Sequence, residues 1–378
     1  MIPFSKPYFS SPELDYIKKA LESYRLCGGG AFNKKTQQFL ESNFNLQKTL
    51  LTPSATAALE MMALLLDIRK GDEIIAPSFT FVSSVNAFAL RGARIKFVDI
   101  DKNTMNLDSN LLEAAITNNT KAIIPVHYAG ISCDMDRILS VAKAKNIAVC
   151  EDAAQGVGAF YKNKPLGSLG EFGALSFHET KNITSAGEGG GLIINNQNYI
   201  ERAEILQEKG TNRQAFFRGV VDKYSWVDIG SSYLMPELNA AFLLGQLEQL
   251  EAINKKRLES WNFYYDSLNP LASVEKIELP FVPAYAKHNA HIFYIKVKDL
   301  QERQELLGFF KKHNIMAAFH YVPLHSSRAG RKFGEFVGID YYTTKESERL
   351  LRLPLFYDLK KIEQEKIVSL IFDFFKGK

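Results

Sequence analysis

The sequence predicts an α/β protein, with a large domain built on a mostly parallel sheet covered by helices and a smaller C-terminal α+β domain. Three observations carry that prediction. From about residue 48 to 155, short apolar runs alternate with helix-like segments, as in a sheet whose strands are buried on both faces. After Asp152 the alternation gives way to hairpin-like pieces and then to long helical stretches. The length, 378 residues, is enough for one large and one small domain.

The elements follow in order. Ser54–Arg69 is rich in Ala, Leu and Met, which favour helix, and Gly71 is its expected stop. Glu73-Ile-Ile-Ala before Pro77 reads as a strand, residues 81–91 as a helix, and Arg94 to Asp99 as a strand. Leu107–Ile116 reads as a helix capped by Asp108. Lys121–His127 is the next strand, Asp136–Lys145 a helix, and Ile147–Asp152 a strand. Ala159–Ser168 suggests a hairpin or loop, and Gly173–His178 and Leu192–Asn195 two further strands. Glu237 to about Leu268 is helical with few breakers. Ala290–Val297 is strand-like, Gln301–His313 helical, and the chain ends in a helix from Ile362. These readings place the boundary near residue 250, giving domains 1–250 and 251–378.

Composition excludes several classes. Hydrophobic residues make up 46% and charged residues 23%, an ordinary globular balance. The net charge of +4 is dispersed, and with no block of like charges a nucleic-acid partner is not expected. Cys27, Cys133 and Cys150 are widely spaced, which argues against a zinc or CxxC redox motif and fits a reducing compartment. Pro3, Pro7 and Glu13 come too early for a signal peptide. No apolar run reaches the roughly 18 residues of a membrane span. A cytoplasmic location is the expectation.

Chemistry concentrates in Ser176-Phe-His-Glu-Thr-Lys181-Asn182, a polar loop after a β-like segment that leads into Gly187, Gly189, Gly190 and Gly191. Lys181 is a candidate Schiff-base lysine, because a primary amine can lose its proton where a guanidinium cannot. Asp152 and Gln155 lie at the end of an apolar strand, where open α/β sheets place their ligands. Thr52-Pro-Ser-Ala55-Thr56-Ala57 opens a helix with hydroxyls and free N–H groups, a seat for a phosphate. Ser176 adds a hydroxyl, and Phe81 is a candidate for stacking on an aromatic ring. Together these residues read as a site for pyridoxal phosphate (PLP), with Asp152 paired to the pyridine nitrogen. Taken singly, each has a plainer reading: a surface lysine, a capping aspartate, an N-cap, a core phenylalanine.

Other motifs fail. There is no GxxxxGK[ST] loop and no HExxH, and Gly28-Gly-Gly30-Ala-Phe-Asn33 does not complete GxGxxG. His288 and His291 lack an evident third ligand, so no metal is expected. His320-Tyr-Val-Pro-Leu-His325, followed by Arg328, Arg331 and Lys332, either meets a pyrophosphate or forms a solvated basic face.

Seven stretches carry a resemblance: Thr52-Pro-Ser-Ala-Thr56, Pro77-Ser-Phe-Thr-Phe-Val82, Val126-His-Tyr-Ala-Gly130, Glu151-Asp-Ala-Ala-Gln155, Ser176 to Asn182, Gly187-Glu-Gly-Gly190 and His320 to His325. In this order they resemble the sugar aminotransferases that make nucleotide-linked amino sugars, a branch of the fold-type I PLP enzymes. The resemblance implies that Lys181 carries the cofactor as a Schiff base and shuttles a proton, and that Asp152 partners the ring nitrogen. Gln155 would lie near the phenolic oxygen, Ala55, Thr56 and Ser176 would hold the phosphate, and Phe81 would stack. It implies a homodimer with shared active sites. Many relatives carry Asn-Tyr-Arg where this chain has Ser232-Tyr-Leu234, so Ser232 is the expected substitute for an asparagine that reaches the phosphate across the dimer. His178, His320, Tyr321, His325 and Arg328 are expected on the substrate side.

The implied reaction moves an amino group from L-glutamate to dTDP-4-keto-6-deoxy-D-glucose, cycling the cofactor between PLP and its pyridoxamine form (PMP). The products would be 2-oxoglutarate and dTDP-4-amino-4,6-dideoxy-D-galactose, a precursor for surface polysaccharide such as lipopolysaccharide. Amination to the gluco epimer or at carbon 3 is the main alternative. A non-catalytic PLP-binding regulator is a lesser one, and a sugar dehydrase is disfavoured because such relatives replace the lysine with histidine.

Overall fold

The computed structural model describes residues 1–376. Among the described residues thirteen strands follow one another: β1 (Lys48–Thr52), β2 (Glu73–Pro77), β3 (Arg94–Val98), β4 (Thr120–Ile123), β5 (Ala148–Asp152), β6 (Phe160–Tyr161), β7 (Lys164–Pro165), β8 (Phe172–Ser176), β9 (Gly190–Ile194), β10 (Ala286–Lys287), β11 (Phe293–Lys296), β12 (Gly334–Phe336) and β13 (Leu350–Leu353). Eight of them form one sheet in the order β1-β9-β8-β5-β4-β2-β3-β12. Only β9 runs against its neighbours β1 and β8; the other seven strands are parallel.

Alternation along each strand divides the core between the two faces. Leu51, Ile75, Ile123, Val149 and Ile193 pack on one side, and Leu50, Ile74, Ala122, Cys150 and Leu192 on the other. Strands covered on both faces are mostly apolar, which explains runs such as Glu73-Ile-Ile-Ala-Pro77 and Ala148-Val-Cys150 in the sequence. A third core gathers Trp261, Tyr264, Phe293, Phe310, Leu351 and Ile371 around the antiparallel pair β11–β13. The helices Leu250–Ser273, Leu300–Lys312 and Lys361–Lys376 supply its other walls. β12, from the C-terminal part of the chain, joins the large sheet beside β3.

The first four helices are α1 (Ser11–Glu22), α2 (Ala31–Asn43), α3 (Ala55–Leu65) and α4 (Ser83–Ala89). Ser54 caps α3, its hydroxyl accepting from the Ala57 N–H at 3.1 Å. The helix stops at Leu65 rather than running to Arg69, because Asp67 already takes the left-handed conformation (φ 51) and Ile68 N–H closes back on the Ala63 carbonyl, a Schellman-type end. Gly71 serves the following turn instead. The helix expected over Leu107–Ile116 is only a short 3-10 turn, Ser109–Leu111, and one turn of α-helix, Leu112–Ala115. Asp108 caps the first of these through the Asn110 N–H. The strand expected to reach His127 ends at Ile123, just before Ile124-Pro125.

Gly28–Gly30 has a packing role. A Cβ at Gly28 would lie 2.6 Å from Leu234 Cβ, so only glycine admits this approach. Gly30 then starts α2, whose first N–H groups have no partner inside the helix. The buried Glu237 carboxylate takes them, accepting from the N–H groups of Gly30, Phe32 and Asn33 at 2.8–3.0 Å.

Candidate active site

The parallel strands end along one edge of the sheet, and a cavity of about 570 Å³ opens there. Register places Thr52 and Ser176 both opposite Gly190, and Asp152 beside Val126. Gly190 is required by this closeness: a Cβ would sit 2.3 Å from the Ser54 carbonyl carbon. The start of α3 can therefore lie against the strand that leads out of the lysine loop.

That loop is closed by its own backbone. Phe177 N–H donates to Gly189 O and Glu179 N–H to Gly187 O, both at 2.8 Å. Gly187 turns with φ 122, a conformation open to glycine. Lys181 projects into the cavity from this loop, its N–H held by the His178 carbonyl at 2.9 Å. Burial lowers its ammonium from the ordinary 10.5 to about 8; Asp152 opposes the shift and Arg352 adds to it. The amine is thus far easier to free of its proton than a surface lysine.

Asp152, at the carboxyl end of β5, is buried. Ser84 Oγ donates to one oxygen at 2.5 Å and Ala154 N–H to the other at 3.1 Å. Thr80 holds Ser84 in turn, at 2.7 Å. Gln155 accepts from Ala129 N–H at 2.7 Å and donates to Tyr321 OH at 3.0 Å. Tyr321 stacks on His320 with centroids 3.7 Å apart. His320 Nδ1 shares a 2.7 Å hydrogen bond with Tyr128 OH, and burial holds the imidazole well below its usual range, so it stays neutral.

The cavity brings together Ala55, Thr56, Phe81, Asp152, Gln155, Ser176, His178, Lys181, His320 and Tyr321. Thr56 Oγ1 meets Ser83 Oγ at 2.8 Å. Phe81 is 57% exposed and its ring stands 6.3 Å from that of Tyr321. His178 bonds Thr180 at 2.9 Å and lies 3.5 Å from Glu188. Ser232, His325 and Arg328 do not line the cavity. Ser232 is exposed and bridges to Glu208. His325 ties the end of β2 to the 320–325 loop, bonding Ser78 Oγ at 2.7 Å, with Asp340 at 3.3 Å on its other nitrogen. Arg328 begins the exposed helix Arg328–Phe333.

Sequence reasoning missed Phe4, Arg257 and Arg352, which also line the cavity. Arg352 had a faint signal, a lone charge in the apolar run Leu350–Leu353. His291 lines the cavity too, but it is satisfied by Asn182 Oδ1 at 3.1 Å. Among the described residues no group of three or more His, Cys, Asp or Glu is placed to hold a metal ion.

The donor set fits PLP. Ala55 and Thr56 stand in the first turn of α3, where N–H groups have no intrahelical carbonyl and the helix dipole favours an anion. A lysine with a lowered pKa and a fixed buried carboxylate share the same cavity. These features define a PLP-binding enzyme site of the aminotransferase kind.

The chain matches the DegT/DnrJ/EryC1/StrS aminotransferase family over residues 8–372 and belongs to it. It is therefore an enzyme, a PLP-dependent sugar-aminotransferase family member with the fold-type I architecture. Among solved structures it is similar to the putative sugar aminotransferase Spr1654 of Streptococcus pneumoniae in its PMP-form. That match has 28% identity and a TM-score of 0.89, covering 100% of both chains. It is similar to DesV of S. venezuelae, solved with a ketimine intermediate, at 27% identity and a TM-score of 0.86, covering 96% of this chain and 94% of that one. The aminotransferase TlmJ of Streptoalloteichus hindustanus shares the fold, with 24% identity, a TM-score of 0.91, and coverage of 100% and 99%. Among the described residues no helix is long and apolar enough to cross a membrane.

Proposed function

We propose that this chain is a dTDP-4-amino-4,6-dideoxygalactose transaminase. It takes the amino group of L-glutamate, releases 2-oxoglutarate, and aminates carbon 4 of dTDP-4-keto-6-deoxy-D-glucose. The observation that carries the amine transfer is Lys181, its pKa lowered by burial, in one cavity with Asp152. The resemblance of Lys209-Gly-Thr-Asn-Arg213, Gly230-Ser-Ser-Tyr-Leu-Met235 and Tyr342 to Phe356 to enzymes of that activity favours this substrate.

When bound, PLP supplies an electron sink for the carbon that bears the amine. Lys181 would hold the cofactor at rest, and its free amine would move a proton at the donor Cα and at sugar carbon 4. Asp152, kept in place by Ser84, would keep the pyridine nitrogen protonated. Ala55, Thr56 and Ser176 would bind the phosphate, Phe81 would pack on the ring, and Gln155 would border the phenolic oxygen. His178, His320 and Tyr321 face the sugar, with His325 and Arg328 nearer the nucleotide.

We further read the enzyme as a cytoplasmic homodimer in which Ser232 reaches the partner subunit's phosphate site. The exposure of large apolar side chains such as Tyr24 (95%), Trp226 (78%) and Val220 (71%) favours a reading in which a second copy covers them. Residues 1–250 and 251–378 are proposed as its two domains. The product is suited to surface polysaccharide, lipopolysaccharide included. NMR of the sugar formed from the dTDP-4-keto sugar and glutamate tests the reading: an axial 4-amine supports it. An equatorial 4-amine or a 3-amine refutes the substrate assignment and leaves the amine transfer standing.

A further inference from the structure

We propose that Arg352 is the seat for a carboxylate of the amino donor. This assignment rests on the transamination proposed above. In β13, Leu351 and Leu353 point into the C-terminal core, and Arg352 between them lines the cavity.

Its guanidinium is held but not neutralised. It lies 4.7 Å over the Phe4 ring, and its Nε and Nη2 donate to the Phe319 carbonyl at 3.3 and 2.8 Å. Among the described residues no carboxylate comes within 4.0 Å of it. Arg349, three residues earlier, contrasts with it, being paired with both Glu278 and Glu346. Arg257, the other guanidinium on the cavity wall, has Nε and Nη2 committed to the carbonyls of Ala290 and His291.

A guanidinium drawn from water without a counter-ion is costly unless a ligand supplies the anion. The cavity's own carboxylates are engaged elsewhere, Asp152 with Ser84 and Ala154, and Glu188 with His178. The cofactor phosphate is assigned above to Ala55, Thr56 and Ser176, so the anion for Arg352 is taken to arrive with a substrate. Two candidates exist, the donor carboxylate and the nucleotide-sugar diphosphate. Arg352 and Lys181 line the same cavity, and the guanidinium's charge adds to the lowering of the Lys181 ammonium. A donor α-carboxylate is attached to the very carbon that bears the amine, whereas the diphosphate is separated from carbon 4 by the pyranose ring. Position favours the carboxylate, and the planar fork of arginine suits it.

The test uses the PLP-loaded enzyme and its Arg352→Met and Arg352→Lys variants. Absorbance follows the half-reaction with L-glutamate, and glutarate, a dicarboxylate without an amine, serves as competitor. Arg352→Met is expected to weaken both L-glutamate and glutarate by about 10- to 100-fold, the loss of one charge-assisted contact. The KM for the keto sugar should stay within about threefold, and Arg352→Lys should recover part of the glutarate affinity. A rise in keto-sugar KM with glutamate and glutarate unchanged would assign Arg352 to the diphosphate and overturn the proposal. Equal losses in every parameter without rescue by lysine would reduce Arg352 to a brace for Phe319. A wild type indifferent to glutamate and glutarate would also sink it. The donor arm needs no sugar, so an enzyme that takes glutamate but aminates another sugar leaves Arg352 in place and refutes only the substrate reading.

Discussion

Replacing Lys181 with methionine should make the cofactor-free protein more stable while destroying its activity. Burial lowers the ammonium from 10.5 to about 8, so at pH 7 the folded state carries a cation that it disfavours relative to the unfolded chain. The sign follows from proton counts. Between about pH 8 and 10.5 the unfolded state holds the proton more fully, so stability rises with pH across that window. Below it the penalty is fully present, and above it the penalty is gone. The size is about 3 kcal/mol at pH 7, an upper value because cavity solvent still reaches the half-buried side chain. Methionine keeps the apolar stem and omits the charge. Urea unfolding of the cofactor-free wild type and Lys181→Met, from pH 7 to pH 10.5, measures the difference. The variant should lead by up to about 3 kcal/mol at pH 7 and the two should converge as pH rises. A variant less stable at pH 7, or a gap independent of pH, would mean that Lys181 is not held in a desolvated site.

Two further outcomes are expected. Glu237→Ala strands three N–H donors at the start of α2 and should cost about 3–5 kcal/mol in denaturant unfolding; a loss under 1 kcal/mol would show that water replaces the carboxylate. Gly190→Ala puts a Cβ 2.3 Å from Ser54 and should weaken PLP retention at least about tenfold by displacing the α3 N-terminus, read by fluorescence titration with PLP; unchanged affinity would detach the phosphate seat from this contact.

Much of the fold was legible because its signals are local. Strands covered on both faces are rich in apolar residues, so β2, β3 and β5 stand out as Glu73–Pro77, Arg94–Val98 and Ala148–Asp152 within a residue or two of their expected ends. The exceptions have local causes that propensity does not weigh. α3 ends early because Asp67 accepts a left-handed turn, and the element near Leu107 is shorter because only one helical turn follows its 3-10 start. Gly28–Gly30 was opaque for a different reason. It answers to Leu234 and Glu237, about 200 residues away, and no local rule reaches that far.

The site divides in the same way. Lys181, Asp152 and the Ser54–Thr56 turn were visible in the sequence because each is a chemical group at a recognisable end of an element. That much fixed the cofactor class, since few chemistries need a deprotonatable lysine, a strand-end carboxylate and a phosphate seat together. Tertiary structure decided which distant groups complete the set. Ser84 anchors Asp152, Tyr128 holds His320, and Arg352 stands in the cavity without a carboxylate partner among the described residues. Folding also placed His325 and Arg328 outside the cavity, although they follow His320 closely in sequence. The physical reason is that type and local pattern reside in the chain, whereas burial, partners and the pKa of Lys181 arise only when segments remote in sequence exclude water from one another.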